Sequence, residues 1–270
     1  ENRRILQIAV PSIISNITVP LLGLIDVTIV GHLGSPAYIG AIAVGGMLFN
    51  IIYWIFGFLR MGTSGMTSQA YGQHDLNEIN RLLIRSVGVG LFIALCLLIL
   101  QYPILNAAFT LIQTTEEVKQ LATTYFYICI WGAPAMLGLY GFAGWFIGMQ
   151  NSRFPMYIAI TQNIVNIIAS LSFVYLLDMK VAGVAAGTLI AQYAGFFMAI
   201  LLYMRYYSTL RKRIVWKDII QKQAMYRFFR VNRDIFFRTL CLVIVTMFFT
   251  SAGAAQGEVV LAVNTLLMQL

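Results

Sequence analysis

The sequence predicts an all-α fold, a polytopic bundle of transmembrane helices, on two observations. Hydrophobic residues make up 60% of the 270-residue chain and charged residues only 10%, and the mean hydropathy is +0.80. These values lie far outside the range of soluble domains. A helix needs about 20 mostly apolar residues to cross the hydrocarbon core of a bilayer, and several segments reach that length.

Six complete spans are predicted, followed by a seventh and the beginning of an eighth. The six cover residues 5–33, 38–59, 83–104, 121–147, 156–177 and 181–203. The seventh lies near 236–251, and the apolar run after it stops at Leu270, so we expect a truncated last helix and a chain that is a fragment. The first apolar run is too long for a cleaved signal peptide and contains Pro and Asp.

Positive charge is distributed unequally between the two sides of this topology. All but two of the 18 Lys and Arg residues fall on the side of the N-terminus, and only Lys119 and Lys180 fall on the other. Loops rich in Lys and Arg remain in the cytoplasm, so the N-terminus is predicted to be cytoplasmic. The net charge of +8 is therefore a topology signal, and we expect no nucleic-acid partner.

The longest connection divides the chain into three parts. Residues 1–208 form a first transmembrane lobe, 209–234 a basic cytoplasmic amphipathic linker, and 235–270 the start of a second lobe with helix 7 and part of helix 8. The linker interleaves basic residues with apolar ones, namely Trp216, Ile219, Ile220, Phe228 and Phe229. We expect an interfacial helix anchored on the anionic inner leaflet, with a regulatory or partner-binding role as the alternative.

No pattern typical of an enzyme is present. The three cysteines lack paired spacing, His32 and His74 are isolated, and no Walker A, Gly-x-Ser-x-Gly or His-Glu-x-x-His sequence occurs. The chain is therefore predicted not to be an enzyme and to bind no cofactor or metal.

Asp26 is the one ionisable residue that we place deep in a complete span, within "VPLLGLIDVTIVGHLG". Burying a charged carboxylate at the bilayer centre costs several kcal/mol, so such a residue is a functional candidate. Apolar surroundings favour the protonated form, which makes Asp26 a candidate carrier of a coupling ion, a proton or sodium. The alternative is a neutral Asp that hydrogen-bonds between helices.

Polar partners for Asp26 are expected on two later spans. In the fifth span, Asn163, Asn166 and Ser170 are three and four residues apart and share one helical face, and the sixth span contributes Thr188. A polar stripe in a bilayer must face protein or a water-filled cavity, so these side chains are predicted to line the same chamber as Asp26. Packing contacts between helices are the alternative for each.

Proline and glycine predict a bend and close helix contacts. Pro11 and Pro20 each remove a backbone hydrogen bond from the first helix, which is expected to be kinked, either statically or as part of a conformational change. Two glycine pairs at four-residue spacing allow helix backbones to touch. They are Gly144 with Gly148 and Gly183 with Gly187.

The motifs "AVPSIISN", "LIDVTIVGHLGS", "LRMGTSGMTSQAYGQ" and "QNIVNIIASLSFVYLLDMKVAGVAAGT", together with the basic linker, span the whole chain. With these motifs the chain resembles the multidrug and toxic compound extrusion (MATE) transporters, especially the DNA-damage-inducible F (DinF) branch. The resemblance implies twelve helices in two six-helix lobes, of which this chain holds the first lobe and the start of the second. "LRMGTSGMTSQAYGQ" is expected to be a cytoplasmic segment.

The resemblance also implies a function and assigns roles to residues. The function is export of amphipathic, often cationic compounds in exchange for protons or sodium by alternating access. Asp26 matches the family's first-helix carboxylate, Asn166 and Thr188 its polar residues on helices five and six, and Pro11 its bending proline. Ser170 departs from the pattern, since many relatives have a second carboxylate there. Because Na⁺ favours several oxygen ligands, that loss favours protons over sodium.

The remaining expectations concern partners and location. We expect lipophilic or cationic small-molecule substrates and a monomer in the bacterial cytoplasmic membrane. Tyr140, Phe142 and Trp145 are candidates for a tolerant apolar wall, although at helical spacing such residues more often pack in the protein or face lipid. A second hypothesis is a flippase for lipids or lipid-linked oligosaccharides. It is disfavoured because no Lys or Arg lies deep in the six complete spans. A channel or structural membrane subunit is a third, and it would need no ionisable coupling residue.

Overall fold

A computed structural model of the chain describes residues 9–11, 13–14, 17, 24–32, 34–112, 114–211 and 221–255. Within these ranges the regular structure is helical, and no strand occurs. Residues 9–11 and 24–31 belong to helical stretches near the N-terminus, and we call 24–31 α1. The helices that follow are α2 (Pro36–Ile55), α3 (Phe58–Gly72), α4 (Leu76–Ile99), α5 (Gln101–Leu111), α6 (Glu116–Cys129), α7 (Ala133–Gly148), α8 (Arg153–Leu171), α9 (Lys180–Tyr206), α10 (Ser208–Arg211) and α11 (Lys222–Ala255).

Among the described residues, five helical stretches are long and apolar enough to cross a membrane. They are Pro36–Gly72, Leu76–Ile99, Glu116–Gly148, Arg153–Leu176 and Lys180–Tyr206. These correspond to the second to sixth predicted spans, and the all-α transmembrane fold class is thereby confirmed. A short 3₁₀ turn joins α6 to α7, and a π-helical turn, Ser172–Leu176, ends the α8 stretch.

Local sequence explains where several helices begin. Ser35 accepts a hydrogen bond from the Ala37 backbone N–H at 3.3 Å, and Pro36 occupies the first helical position of α2. Asp75 accepts from two backbone N–H groups of the first turn of α4, at 3.1 and 3.0 Å. Thr115 caps α6, whose first turn also carries two Glu residues that suit the positive end of the helix dipole.

The segment that we expected to be a cytoplasmic connection is helix α3. It packs against α7, where glycine brings the two backbones together. A Cβ added at Gly144 would contact the Arg60 carbonyl, and one at Gly148 would lie 2.9 Å from the Ser64 carbonyl oxygen. The predicted close approach at Gly144 and Gly148 is confirmed. Their partner is helix α3, most of which lies after residue 59, where hydropathy alone ended the second predicted span.

The basic linker also differs from its prediction. Helix α11 begins at Lys222, inside the predicted linker, and continues without a break through residues 234 and 235. The expectation of interfacial anchoring is wrong for Phe228, which is only 1% exposed and packs in the core with α3, α4 and α7. Phe229 is half exposed. The other three apolar linker residues lie outside the described ranges.

Candidate functional site

Asp26 lies on α1 and is 3% exposed. Its Oδ2 atom accepts a hydrogen bond of 3.1 Å from the Thr188 hydroxyl on α9. The first helix and α9 are thus joined through a residue pair separated by 162 positions in the chain. This contact brings the predicted carboxylate and the predicted sixth-span Thr to one place.

Asn166 on α8 extends this contact to a third helix. Its Nδ2 donates to the Thr188 Oγ1 atom at 3.1 Å, and the Asn166 side chain is fully buried. A Thr hydroxyl has one proton to donate, so the bond to Asp26 leaves Thr188 to accept from Asn166. The result is a directed chain of hydrogen bonds from Asn166 through Thr188 to Asp26, which we call the polar triad.

Several buried oxygens at the triad have no hydrogen-bond partner among the described residues. They are Asp26 Oδ1, Asn166 Oδ1 and Ser170 Oγ. An unpaired polar atom in a buried site costs free energy, so such groups call for an explanation. The amide oxygen of Asn166 can only accept a hydrogen bond, and so can Asp26 Oδ1 while the carboxylate is ionised. These two acceptors suit an added proton or a small cation. A proton on Asp26 Oδ1 would convert that atom from an acceptor into a donor.

Ser170 lies next to the triad and packs against the backbone of α9 at Gly187. A Cβ added at Gly187 would contact the Ser170 hydroxyl and would lie 2.7 Å from the Ser170 backbone nitrogen. Gly187 directly precedes Thr188, so this close crossing of α8 and α9 sets the distance over which Asn166 reaches Thr188. The predicted close contact at Gly187 is confirmed. At Gly183, an added Cβ would lie 3.1 Å from Phe173.

The structure does not bring Asn163 into the triad. Its Nδ2 donates to the Ala159 carbonyl oxygen on its own helix at 2.9 Å, and its side chain is 8% exposed. Asn163, Asn166 and Ser170 are all buried, as expected for one helical face, but spacing along α8 could not tell which of them reaches α9.

Pro11 and Pro20 are the residues expected to bend the first helix. Pro11 lies in the helical residues 9–11 and is buried. Pro20 lies outside the described ranges, and the bend expected of the first helix stays a prediction.

Asp26 also lines a cavity of about 650 Å³. One face of α2 lines it together with Tyr125 of α6, and among the α2 residues are Met47, Asn50 and Trp54. Met47 and Trp54 are 42% and 53% exposed, so this face of α2 is open. Asp26 is the member of the triad that lines this space, which is large enough for a small organic molecule. The described lining residues do not include the four further polar residues predicted for the same chamber, Asn163, Asn166, Ser170 and Thr188.

The sequence analysis missed Asn50, whereas Phe142 and Trp145 follow the packing alternative. Asn50 is an amide within the apolar stretch 38–59, and that interruption was the available signal. Phe142 and Trp145 do not line this cavity; they are 6% and 0% exposed and pack against Tyr203. The Trp145 indole N–H donates to the Ile79 carbonyl at 2.8 Å, which fixes it as a core residue.

No group of three or more His, Cys, Asp or Glu side chains is close enough to hold a metal ion within the described ranges. The oxygens of the triad and of Ser170 are the polar groups that could contact a monovalent ion.

These features define a polytopic helical membrane protein with a buried carboxylate that is hydrogen-bonded to one further helix, linked through it to another, and open to a cavity. The chain belongs to the MatE family, whose model matches residues 11–174. It is 35% identical over 279 residues to DNA damage-inducible protein F of Escherichia coli (strain K12), covering 100% of this chain and 59% of that protein.

Two further similarities agree with this assignment. The chain is 28% identical over 205 residues to multidrug and toxin extrusion protein 1 of Danio rerio, covering 74% of this chain and 33% of the relative. The crystal structure of a MATE protein in a bent conformation matches with a TM-score of 0.82 at 22% identity, over 98% of this chain and 59% of that one. The chain thus spans about three fifths, or less, of the length of these proteins, and the structural match shows the shared fold.

Proposed function

We propose that the protein to which this chain belongs exports amphipathic or cationic small molecules in exchange for protons, with Asp26 as the protonation site. The observation that carries this proposal is the position of Asp26, which is buried in the polar triad and lines the cavity. Membership of the MatE family supports a transport role, and the Danio rerio relative is a multidrug and toxin extrusion protein.

Two states of Asp26 would couple the ion to the substrate. The ionised carboxylate places a negative charge at the cavity wall, where a cation is attracted and where Met47 and Trp54 offer apolar surface. Protonation removes that charge and weakens cation binding. Exchange by alternating access requires only that proton and substrate favour different conformations of the protein.

The ligand set favours a proton over sodium. Asp26 is the one carboxylate in the triad, and Ser170 occupies the position at which many relatives have a second carboxylate. Hard cations bind best where several oxygens surround them, so a lone carboxylate with amide and hydroxyl neighbours suits a proton better. Sodium coupling at the same residues is the alternative, and it would recruit the unpaired oxygens of Asn166 and Ser170.

The cavity chemistry disfavours a lipid or lipid-linked oligosaccharide flippase. An anionic headgroup requires cationic side chains, and those residues that line the cavity in the described part of the chain include no Lys or Arg. Their one charged residue is Asp26, which repels an anion. We further propose a bacterial cytoplasmic membrane location with a cytoplasmic N-terminus, on the distribution of Lys and Arg.

Replacing Asp26 by Asn tests this function directly. The full-length parent protein is reconstituted in proteoliposomes, and efflux of a fluorescent lipophilic cation is followed under a pH gradient or a sodium gradient. We expect the pH gradient alone to drive efflux, and Asp26→Asn to abolish it because the amide cannot bind the coupling proton. Asp178→Asn, which removes an exposed carboxylate, should behave as the wild type.

Other results would contradict the proposal. Sodium-driven efflux would overturn the choice of ion. Undiminished proton-driven efflux by correctly folded Asp26→Asn protein would remove Asp26 from the mechanism. Absence of cation efflux under both gradients would favour the flippase.

A further inference from the structure

A second cavity of about 910 Å³ lies between α4 and α11, with the residues that join α2 to α3 at one end. We call it the α4–α11 groove. Gly88 and Val89 of α4 form one apolar wall, and Phe229 and Phe236 of α11 form much of the other. It is separate from the Asp26 cavity and shares no lining residue with it.

The groove lies along a helix that crosses the membrane. Arg85 and Ile93 of α4 both line it, and eight residues of helix correspond to about 12 Å. Phe92 lines the groove and is 66% exposed, and Leu95 and Ile99 continue the same apolar surface with 54% and 70% exposure. Because the groove merges with the lipid-facing surface of a membrane-spanning helix, the acyl chains of the bilayer are the molecules that can enter it directly.

The charged residues of the groove are all cationic. They are Arg85, Arg230 and Arg233, and no Asp or Glu lines it within the described residues. Arg85 is buried and pairs with Glu78 at 2.7 Å, so its charge is compensated within α4. The groove therefore has an apolar interior and a positive edge contributed by α11.

Arg230 is the arginine best prepared for a ligand. Its guanidinium stacks on the Tyr226 ring at 4.7 Å and donates to the Tyr226 hydroxyl at 2.9 Å, and both side chains are exposed. This contact holds the guanidinium in place and uses one of its five N–H donors. Arg233 is exposed and pairs with the exposed Asp234 at 3.1 Å, so the net positive charge of the edge comes from Arg230. A planar guanidinium with spare donors suits a phosphate oxygen pair.

We propose that the α4–α11 groove binds one anionic phospholipid, with an acyl chain between α4 and α11 and its phosphate on Arg230 and Arg233. The apolar walls lie along a membrane-spanning helix and bind the acyl chain, and the arginines at the edge favour a negatively charged headgroup. Such a lipid would fasten the first turns of α11 to α4. The proposal does not depend on what the protein transports.

Native mass spectrometry of the purified full-length parent protein tests the proposal, with phosphatidylglycerol and phosphatidylcholine as the titrated lipids. We expect one tightly bound phosphatidylglycerol and at least about tenfold weaker phosphatidylcholine binding, because the positive edge favours a net negative headgroup. The R230Q/R233Q variant should lose that preference. Gly88→Leu should weaken binding of both lipids, because a Cβ at Gly88 meets no atom within 4 Å and the added side chain fills the groove.

Two matched variants control for charge and for bulk. R205Q/R227Q removes two positive charges from exposed positions outside the groove, and Leu201→Phe adds bulk at an exposed position of α9 away from it. Both should bind phosphatidylglycerol as the wild type does. Equal affinity of the wild type for the two lipids would overturn the proposal, and so would wild-type binding by both R230Q/R233Q and Gly88→Leu. A wild-type protein that binds no lipid would also overturn it, and would indicate that another part of the protein fills the groove.

Discussion

At the scale of single residues, the hydroxyl of Thr188 decides how Asp26 is held. It donates to Asp26 Oδ2 while accepting from Asn166, so one atom connects α8, α9 and the first helix. The residue types could be predicted from the sequence as polar groups in apolar spans. The order of donors and acceptors could not, since it depends on the helix crossing.

Replacement of Thr188 by Val should lower exchange activity. Val is nearly isosteric but lacks the hydroxyl, and losing a hydrogen bond to a charged group costs about 1.5–3 kcal/mol, which corresponds to about tenfold or more. Thr188→Ser keeps the donor and should retain most of the activity. The measurement is the initial rate of proton-driven cation efflux by reconstituted full-length protein. Equal rates for Thr188→Val and Thr188→Ser would show that the hydroxyl is unimportant.

Asn163 and Ser170 illustrate the limit of pattern reading at this scale. Asn163, Asn166 and Ser170 share a face of α8, yet Asn163 bonds its own backbone and Ser170 lies against Gly187. Periodicity gives the direction in which a side chain points, whereas its partner depends on the neighbouring helix. Asn166 alone among the three donates to a triad residue.

At the scale of elements, the crossing of α8 and α9 is the contact on which the triad depends. Ser170 packs on Gly187, one residue before Thr188, so the helix separation at this point is set by the absence of a side chain. Small residues permit such close approach between membrane helices. This feature could be predicted from the four-residue glycine spacing, although its partner could not.

Gly187→Ala should therefore damage both stability and transport. The added methyl would meet the Ser170 backbone, which cannot move aside as a flexible side chain would, and overpacking of this kind costs about 1–3 kcal/mol. Gly65→Ala is the control, because a Cβ there meets nothing within 4 Å. Thermal unfolding of the full-length protein in detergent gives the comparison. A melting temperature for Gly187→Ala that equals that of Gly65→Ala would contradict the close crossing.

At the scale of the whole molecule, hydropathy was sufficient for the fold class and insufficient for two elements. It predicted the second to sixth spans because long apolar runs must be helical in lipid. It missed α3, in which Thr63 and Thr67 are buried in the protein and Thr63 forms a 2.6 Å hydrogen bond with Ser86. It also placed Phe228 at the membrane surface, although this residue packs in the core.

The candidate site, like the fold, could be predicted in part from composition, and the rest of it depends on how the helices are placed. Asp26 could be predicted because a carboxylate in a span is costly without a purpose. The cavity could not, because the face of α2 that lines it carries residues such as Met47 and Trp54, which are as apolar as those that pack in the core. Only the placement of α2 beside Asp26 distinguishes a cavity wall from a packing surface.

The central claim, that a proton and a cationic substrate compete through Asp26, is tested most directly by proton release. The weakly buffered full-length protein in detergent is titrated with a lipophilic cation while a pH indicator reports released protons, with Asp26→Asn alongside. We expect proton release that saturates with cation binding in the wild type, and none in Asp26→Asn. Equal release by both proteins, or cation binding by the wild type without any release, would contradict the claim.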